Sequence, residues 1–514
     1  MKKYINSKIK PLLVLVFLIM QGCSEEDVTK LPVTALSEDA FWSSEEEVAQ
    51  ATSALYFSLP NVGEIQWDAL TEIMYSQDGA TLEISSGGIN PGSGLVNSLW
   101  TGQYATIRDA NWFLDNVEKA PLTENQLAKY KGQVRFFRAW AHYRLLYQFG
   151  DVPLVTTLLA VNEGQVEPSP RATVLDFVLT ELDAVMSELS VSDYSPEYGR
   201  VTTWAAMALK SRILLYEGTL SQDNGMLTES ANLADQIMTS GSFDLHDNYT
   251  ELFRPEGEGS SEIILARVNA DLPGRYHSLG QWLGPISFHA SWSIYTPTMA
   301  LVETYPDING EDIATSPLYN PDMPFENRDP RMAQSIFNWS EDVDYEGSSF
   351  VNNGTWLNFR KWINPAETAE QQSHNDFIVF RLGEMYLTYV EAMNEVNGPT
   401  QEQVDLINEL RTRGGQGAAD DGTDIAVPPI QLAGLTKDSF RDIIRRERII
   451  EMAAEGLLYF DYHRWRSLET TMNMPAVGVV SLEDRLFTAP RDYTWPIPEF
   501  ELINNPNLKQ NTGY

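Results

Sequence analysis

Between Glu124 and Phe149 the apolar residues fall into two stripes, Val134, Phe137, Ala141 and Leu145 on one, Phe136, Trp140, Tyr143 and Tyr147 on the other. One stripe buries one face of a helix; two stripes need neighbours on both sides. The pattern predicts a central helix that Gly150 ends and Pro153 stops. Ser43-Ser44 followed by Glu45, Glu46 and Glu47 is a cap with acids in the first turn, starting a helix to about Leu59. Helical spacing returns over Ser98–Val117, Thr173–Leu189, Thr202–Tyr216 and Thr228–Thr239, with Ala205, Ala206 and Ala208 permitting close helix approach. Helix pairs with short turns suggest tetratricopeptide-like hairpins, although no strict repeat of about 34 residues is present. Residues 60–94, rich in Gly, Asn and Ser, read as loops. From about 241 to 375 the periodicity fades into irregular stretches with short strand-like pieces such as Glu262–Val268. Helices resume at Phe377–Val396, Gln403–Arg413 and Lys437–Glu455. The prediction is a mainly α fold in one unit over 39–514, with a helical scaffold at about 39–240 and 376–466 around the loop-rich segment 241–375.

The chain has 514 residues, 43% apolar, with 13 Trp, enough to bury a large core. Its 36 basic residues face 72 acidic ones, a net of −36, which argues against nucleic acid as a partner. The single cysteine excludes a disulfide framework and any Cys-based zinc module. That cysteine, Cys23, follows Lys2, Lys3, Lys8 and Lys10 and the apolar run Leu12–Met20. Such a segment reads as a secretory signal over 1–22, too short to span a bilayer. With Gly22 before it, Cys23 is the expected acylation site, anchoring a polar tether over 23–38; more than one buried chain gives stable anchoring. Removing the leader takes four lysines and no acid, leaving a net of −40.

Motif searches for catalysis come back empty: no G-x-S-x-G elbow, Walker loop, G-x-G-x-x-G or H-E-x-x-H is present, and the six histidines never pair at i, i+4. No catalytic residue, metal ligand or cofactor is expected. Asp307-Ile308-Asn309-Gly310-Glu311-Asp312 looks like a calcium loop, but the twelfth position from Asp307 is Leu318, so it reads as an Asn-Gly turn. Arg445-Arg446-Glu447-Arg448 with Glu451 and Glu455 reads as an ion-pair network anchoring a helix. Trp42, Trp100, Trp112, Trp140, Trp204 and Trp465 fall on or beside helical stripes and read as core. Trp67, Trp282, Trp292, Trp339, Trp356 and Trp362 lie in irregular segments. Rings on loops either pin those loops or offer flat faces to sugars, whose hydroxyls neighbouring Asp, Asn and Gln would take.

Six stretches, in order, resemble one family. They are Phe41-Trp42-Ser43-Ser44-Glu45-Glu46; Arg135-Phe136-Phe137-Arg138-Ala139-Trp140 through Gly150-Asp151-Val152-Pro153-Leu154; Gly199-Arg200-Val201-Thr202; Phe380-Arg381-Leu382-Gly383-Glu384 with Glu391-Ala392; Glu447-Arg448 and Glu451 through Glu455-Gly456, Phe460-Asp461 and Arg464-Trp465; and Pro496-Ile497-Pro498 through Asn505-Pro506-Asn507 to Gly513-Tyr514. Together they resemble the SusD/RagB nutrient-binding lipoproteins of Bacteroidetes, with Gly383, Leu457 and Thr512 as departures. The resemblance implies a non-catalytic, lipid-anchored protein on the outer face of the outer membrane that captures oligosaccharides for a SusC-like TonB-dependent transporter, its helical side facing that barrel. A surface glycoside hydrolase, or the same fold binding peptides, are the alternatives. Ligand contacts are expected in 60–94 and 275–300, with Trp67, Trp282, Trp292 and Tyr295 as stacking faces and Asp78 as a hydroxyl acceptor. The net charge favours a neutral glycan such as a β-glucan or fructan.

Overall fold

The structure, a computed structural model, describes residues 41–189, 198–285, 291–337, 355–367, 369–419, 422–478 and 481–514. The leader, Cys23, the tether and Trp339 lie outside the described residues. Helix α1 (Glu45–Leu55) starts where Ser44 accepts from the Glu47 N–H. After α2 (Gly79–Ser85) comes α3 (Gly94–Asn116), then the central α4 (Glu124–Phe149), opened by a reciprocal capping box between Thr123 and Gln126. Both stripes of α4 are buried, between α3 and α5 (Arg171–Glu188). Helices α6 (Thr203–Ser221) and α7 (Asn224–Met238) continue the series, each packed on its predecessor. Short helices punctuate the irregular middle: α8 (Leu279–Leu283), then single turns over Met299–Thr304 and Pro330–Ser335. Helix α9 (Leu382–Asn397) then packs on α7, and α10 (Gln401–Gly415) and α11 (Lys437–Met452) pack on α9. Three short helices follow, α12 (Leu458–Arg464), a single turn over Leu468–Thr471, and α13 (Glu499–Asn504).

Ten short strands form five two-stranded antiparallel sheets among the described residues. They are β1 (Met74–Ser76) with β5 (Tyr295–Pro297), β2 (Val152–Pro153) with β3 (Pro168–Ser169), β4 (Ile263–Arg267) with β8 (Phe377–Arg381), β6 (Ile336–Phe337) with β7 (Asn358–Phe359), and β9 (Ala476–Val477) with β10 (Ser481–Glu483). The helix expected from Phe377 therefore starts five residues late. Phe377-Ile378-Val379-Phe380 is β-branched and aromatic, and β4 offers it a partner, with Arg267 opposite Phe377 and Ile263 opposite Arg381. Residues 60–94 are also more regular than loops, containing a 3-10 stretch over Val62–Leu70 besides β1 and α2. The Asn-Gly turn at Gly310 stands (φ 79°), and Asp307 spends its carboxylate on Asn309 N–H, Glu311 N–H and Ser316 Oγ.

Glu447, Arg448 and Glu451 of α11 are buried, and the partners of these three come from other elements rather than from the same helix. Glu447 meets Arg331 and Arg411; Glu451 meets Arg381 and Arg413; Arg448 meets Asp461. Glu455, beyond the end of α11, closes the set with Arg381 and Lys361, and Glu262 bridges Arg381 and Arg413. Opposed charges this deep offset their desolvation only through such multiple hydrogen bonds. Gly383 belongs to this packing: a Cβ there would come 2.4 Å from Arg381 Nη1 and 3.1 Å from Glu262 Oε1.

Candidate functional site

The two segments singled out for ligand contact meet. Strand β1 pairs with β5, Ser76 lying opposite Tyr295, and Gln77 continues the ladder: its N–H donates to Ile294 O (2.8 Å) and its Nε2 to Ser293 O (3.1 Å). Beside this ladder Ser291, Trp292 and Ser293 lie against the end of α8. The carbonyl of buried Gln281 accepts from the Trp292 N–H (2.8 Å), the Ser293 N–H (3.0 Å) and Ser291 Oγ (2.6 Å). Gly284 O accepts from Ser291 Oγ (2.6 Å), Ser293 Oγ (2.9 Å) and Asn358 Nδ2 (3.0 Å). Asn358 Nδ2 also reaches Leu283 O (3.2 Å) and Ser293 Oγ (3.1 Å). Ser293 takes a positive φ of 46° within this net. The outcome is an indole, Trp292, that is 49% exposed on a backbone fixed from several sides. A second one, Trp356, is 41% exposed two residues before Asn358, again at positive φ (61°). Large apolar rings held in place lose little conformational entropy when a ligand stacks on them.

The other predicted positions divide. Trp282 is half-buried, its ring edge-to-face with Tyr295 at 6.1 Å. Tyr295 is itself buried and offers no open face, so it supports Trp282 from behind instead of stacking on a ligand; burial, then the nearby Asp78, push its hydroxyl pKa up. Asp78 caps α2, where Oδ2 accepts from Thr81 N–H and Oγ1, both at 2.9 Å; the half-buried carboxylate keeps Oδ1 for other donors. Trp67 is not a binding face at all. It is 1% exposed, packs on Tyr459, Phe460 and Trp495 with centroids 5.5–5.8 Å away, and donates from Nε1 to Glu64 Oε2 (2.8 Å). Trp356, left among the loop tryptophans at the sequence level, joins the exposed set, while Trp362 is buried and donates to Ala454 O (2.7 Å).

A cavity of about 90 Å³ inside the helical scaffold, lined by Trp140, Tyr143, Tyr147, Tyr216 and Phe460, is well below the roughly 300 Å³ at which ligand sites begin. Among the described residues, no group of three or more His, Cys, Asp or Glu is placed to hold a metal ion, and no helix is long and apolar enough to cross a membrane.

Comparison with known proteins is consistent along the chain. Residues 273–514 match the family profile described as "SusD family", and residues 35–215 the one described as "Starch-binding associating with outer membrane". The SusD-like protein P25 of Formosa agariphila is 27% identical over 99% of this chain and 100% of its own length. A SusD-like carbohydrate binding protein from Bacteroides fragilis superposes with a TM-score of 0.80 at 25% identity, covering 91% of this chain and 100% of that one. A laminarin binding SusD-like protein superposes with a TM-score of 0.72 at 23% identity, covering 92% of this chain and 100% of that one.

Proposed function

We propose that this chain, a member of the SusD family of non-catalytic, outer-membrane-associated glycan-binding proteins, captures oligosaccharides on the surface carrying Trp292 and Trp356 and passes them to a SusC-like TonB-dependent transporter. The observation that carries the reading is the exposed Trp292 on a backbone pinned by Gln281, Gly284 and Asn358. A ring so placed is a flat, water-facing apolar surface prepared before any ligand arrives, which is what the face of a pyranose needs. Trp282 and the free oxygen of Asp78 lie on the same pair of segments and supply a further ring and a hydroxyl acceptor. A relative that binds laminarin supports a neutral β-glucan, and the net charge of −40 left after the leader supports it too, since it repels polyanions. A fructan would meet the same surface. In this reading an acyl anchor at Cys23 tethers the protein to the outer membrane, beside the barrel it serves.

Calorimetry of the mature chain against laminarihexaose, a fructan oligosaccharide and a panel of peptides tests the reading. Glycan binding without release of reducing ends, abolished or strongly weakened by Trp292→Ala, is the expected result. Peptide binding alone would move the cargo to another class, and cleavage of the glycan would make the protein an enzyme; either outcome overturns the proposal.

A further inference from the structure

Where β4 ends, the chain builds a second recess on the loop-rich side. It has a volume of about 280 Å³, and its walls include Phe57, Arg267, Val268, Asn269, Arg275 and Tyr276. No carboxylate lines it, although the chain has twice as many acids as bases. Its two arginines have no acidic partner among the described residues. Arg267 donates from Nη1 to two main-chain carbonyls, Phe57 O (2.8 Å) and Leu59 O (2.9 Å), so that contact holds the N-terminal segment against β4 without neutralising the guanidinium. Arg275 is exposed. Both arginines line the recess, and the Arg267 pKa is lowered, first by burial and then by the charge of Arg275.

The rest of the wall is fixed and uncharged. Asn269 donates from its N–H to Asp376 Oδ1 (2.7 Å) and from Nδ2 to Asn375 O (3.1 Å). His277 is held neutral, its pKa pushed down to about 4 by burial; Nδ1 accepts from the Leu279 N–H (3.2 Å), which leaves Nε2 as the donor to Asn375 O (2.9 Å). The nearby carboxylate of Asp271 is occupied by the Tyr276 hydroxyl (2.7 Å). Phe57, 70% exposed, presents an apolar face beside the Arg267 guanidinium, whose centre is 5.9 Å from the ring centroid.

We propose that this recess, between Phe57, Arg267 and Arg275, receives a sulfate or carboxylate substituent of the captured glycan, with Phe57 covering the sugar ring that bears it. Guanidinium groups bind both kinds of oxyanion through paired, charge-assisted hydrogen bonds, and one anion between two unpaired arginines removes their mutual repulsion. The negative charge of the whole chain does not forbid this, because at physiological salt fields from distant acids are screened beyond about 8 Å. It does select against densely charged polymers. The ligand class that fits both conditions is a mostly neutral oligosaccharide with sparse acidic groups. This inference rests on the glycan-capture reading above.

The test measures affinity of the mature chain for laminarihexaose, for a galactan hexasaccharide carrying a single sulfate and for a hexagalacturonate methyl-esterified at all but one residue, in wild type and in Arg275→Gln, a replacement that removes no side-chain hydrogen bond or ion pair among the described residues. The expected result is at least tenfold tighter binding of one acidic probe than of laminarihexaose, with that ratio falling about tenfold in Arg275→Gln and at raised salt. The acidic probe preferred says whether sulfate or carboxylate is the group recognised. Arg267→Gln, with its melting temperature checked, should lower the same ratio. Laminarihexaose binding alone, or acidic binding unchanged in both variants, overturns this inference and leaves glycan capture standing. If none of the three binds, glycan capture falls and takes the acidic subsite with it.

Discussion

Replacing Trp67 by alanine would strip a buried ring away from Tyr459, Phe460 and Trp495 and leave Glu64 without its indole donor. Truncating a core tryptophan costs about 3–5 kcal/mol, so the expected outcome is a large drop in melting temperature. Trp292→Ala should do the reverse: stability within about 0.5 kcal/mol of wild type, but 5- to 150-fold weaker glycan binding, by analogy with the roughly 1–3 kcal/mol of base–aromatic stacking. Melting and calorimetry on the two variants check both halves. A Trp292→Ala chain that melts early and binds normally would make Trp292 a packing residue. The sequence treats these two tryptophans alike, because both stand among Gly, Asn and Ser outside any helical stripe. What separates them is nonlocal: the rings that bury Trp67, Tyr459, Phe460 and Trp495, come from the far end of the chain, whereas Trp292 has no such ring partner among the described residues. Phe57, Arg267 and Arg275 were not legible for the same reason. The recess exists only once the end of β4 is brought against the segment at 57–62, and the one local hint was two arginines within nine residues of a strongly acidic chain.

At the scale of elements, the 3-10 stretch over Val62–Leu70 is joined to the start of α12 through Asp68, whose buried carboxylate accepts from the Gly456 N–H (3.1 Å) and the Leu458 N–H (3.0 Å). Gly456 is required at this joint, since its φ is +77° and a Cβ would come within 2.3 Å of Glu64 O. Burial pushes the pKa of Asp68 up to about 7, against the opposing pull of those two N–H donors. A carboxyl raised in the folded state contributes stability that is full below its unfolded value, near pH 4, and is lost as pH rises through about 7. Asp68→Asn removes that titration. Melting temperatures recorded from pH 5 to 8 should therefore fall more steeply in wild type than in Asp68→Asn; parallel curves would show that Asp68 does not titrate in this range. The long helices were legible because their spacing repeats over many turns, and α4 begins and ends where its stripes and Gly150 place it. The start of α9 was not: the residues before it read as its first turn, and β4, more than a hundred positions earlier, draws them into a strand. The Asn-rich terminus needs no ladder because side-chain amides replace one, with Asn505 bonded to Val166 O, Asn507 to Gln165 O, and Asn511 to both Phe149 O and Trp495 O.

For the whole molecule, the helical series and the loop-rich side are joined by one hydrophobic core that contains both Trp42 and Leu508. The family was readable because its motifs are scaffold motifs, namely the buried charges on α11, the end of α4 and the terminal Asn residues. None of the residues proposed here for ligand contact belongs to those motifs, so on that proposal identity and cargo are written in different parts of the chain. Placement at the membrane is tested outside the fold. Palmitate labelling should be present in wild type and absent in Cys23→Ala, and protease added to intact cells should remove the wild-type protein; label on both, or protection from protease, would exclude an outward-facing acyl anchor. Gentle detergent extraction should bring a large barrel protein with it.

The net of bonds beneath Trp292 bears on how such a surface changes its preference. The hydrogen bonds that shape this turn run to the carbonyls of Gln281 and Gly284 from main-chain N–H groups, Ser291, Ser293 and Asn358, and none of them uses the indole. Position 292 is thus a socket: the turn is indifferent to the side chain mounted on it. Tyrosine, phenylalanine or a polar residue could be exchanged there without a compensating change elsewhere, so new cargo can be tried one substitution at a time while the frame stays as it is.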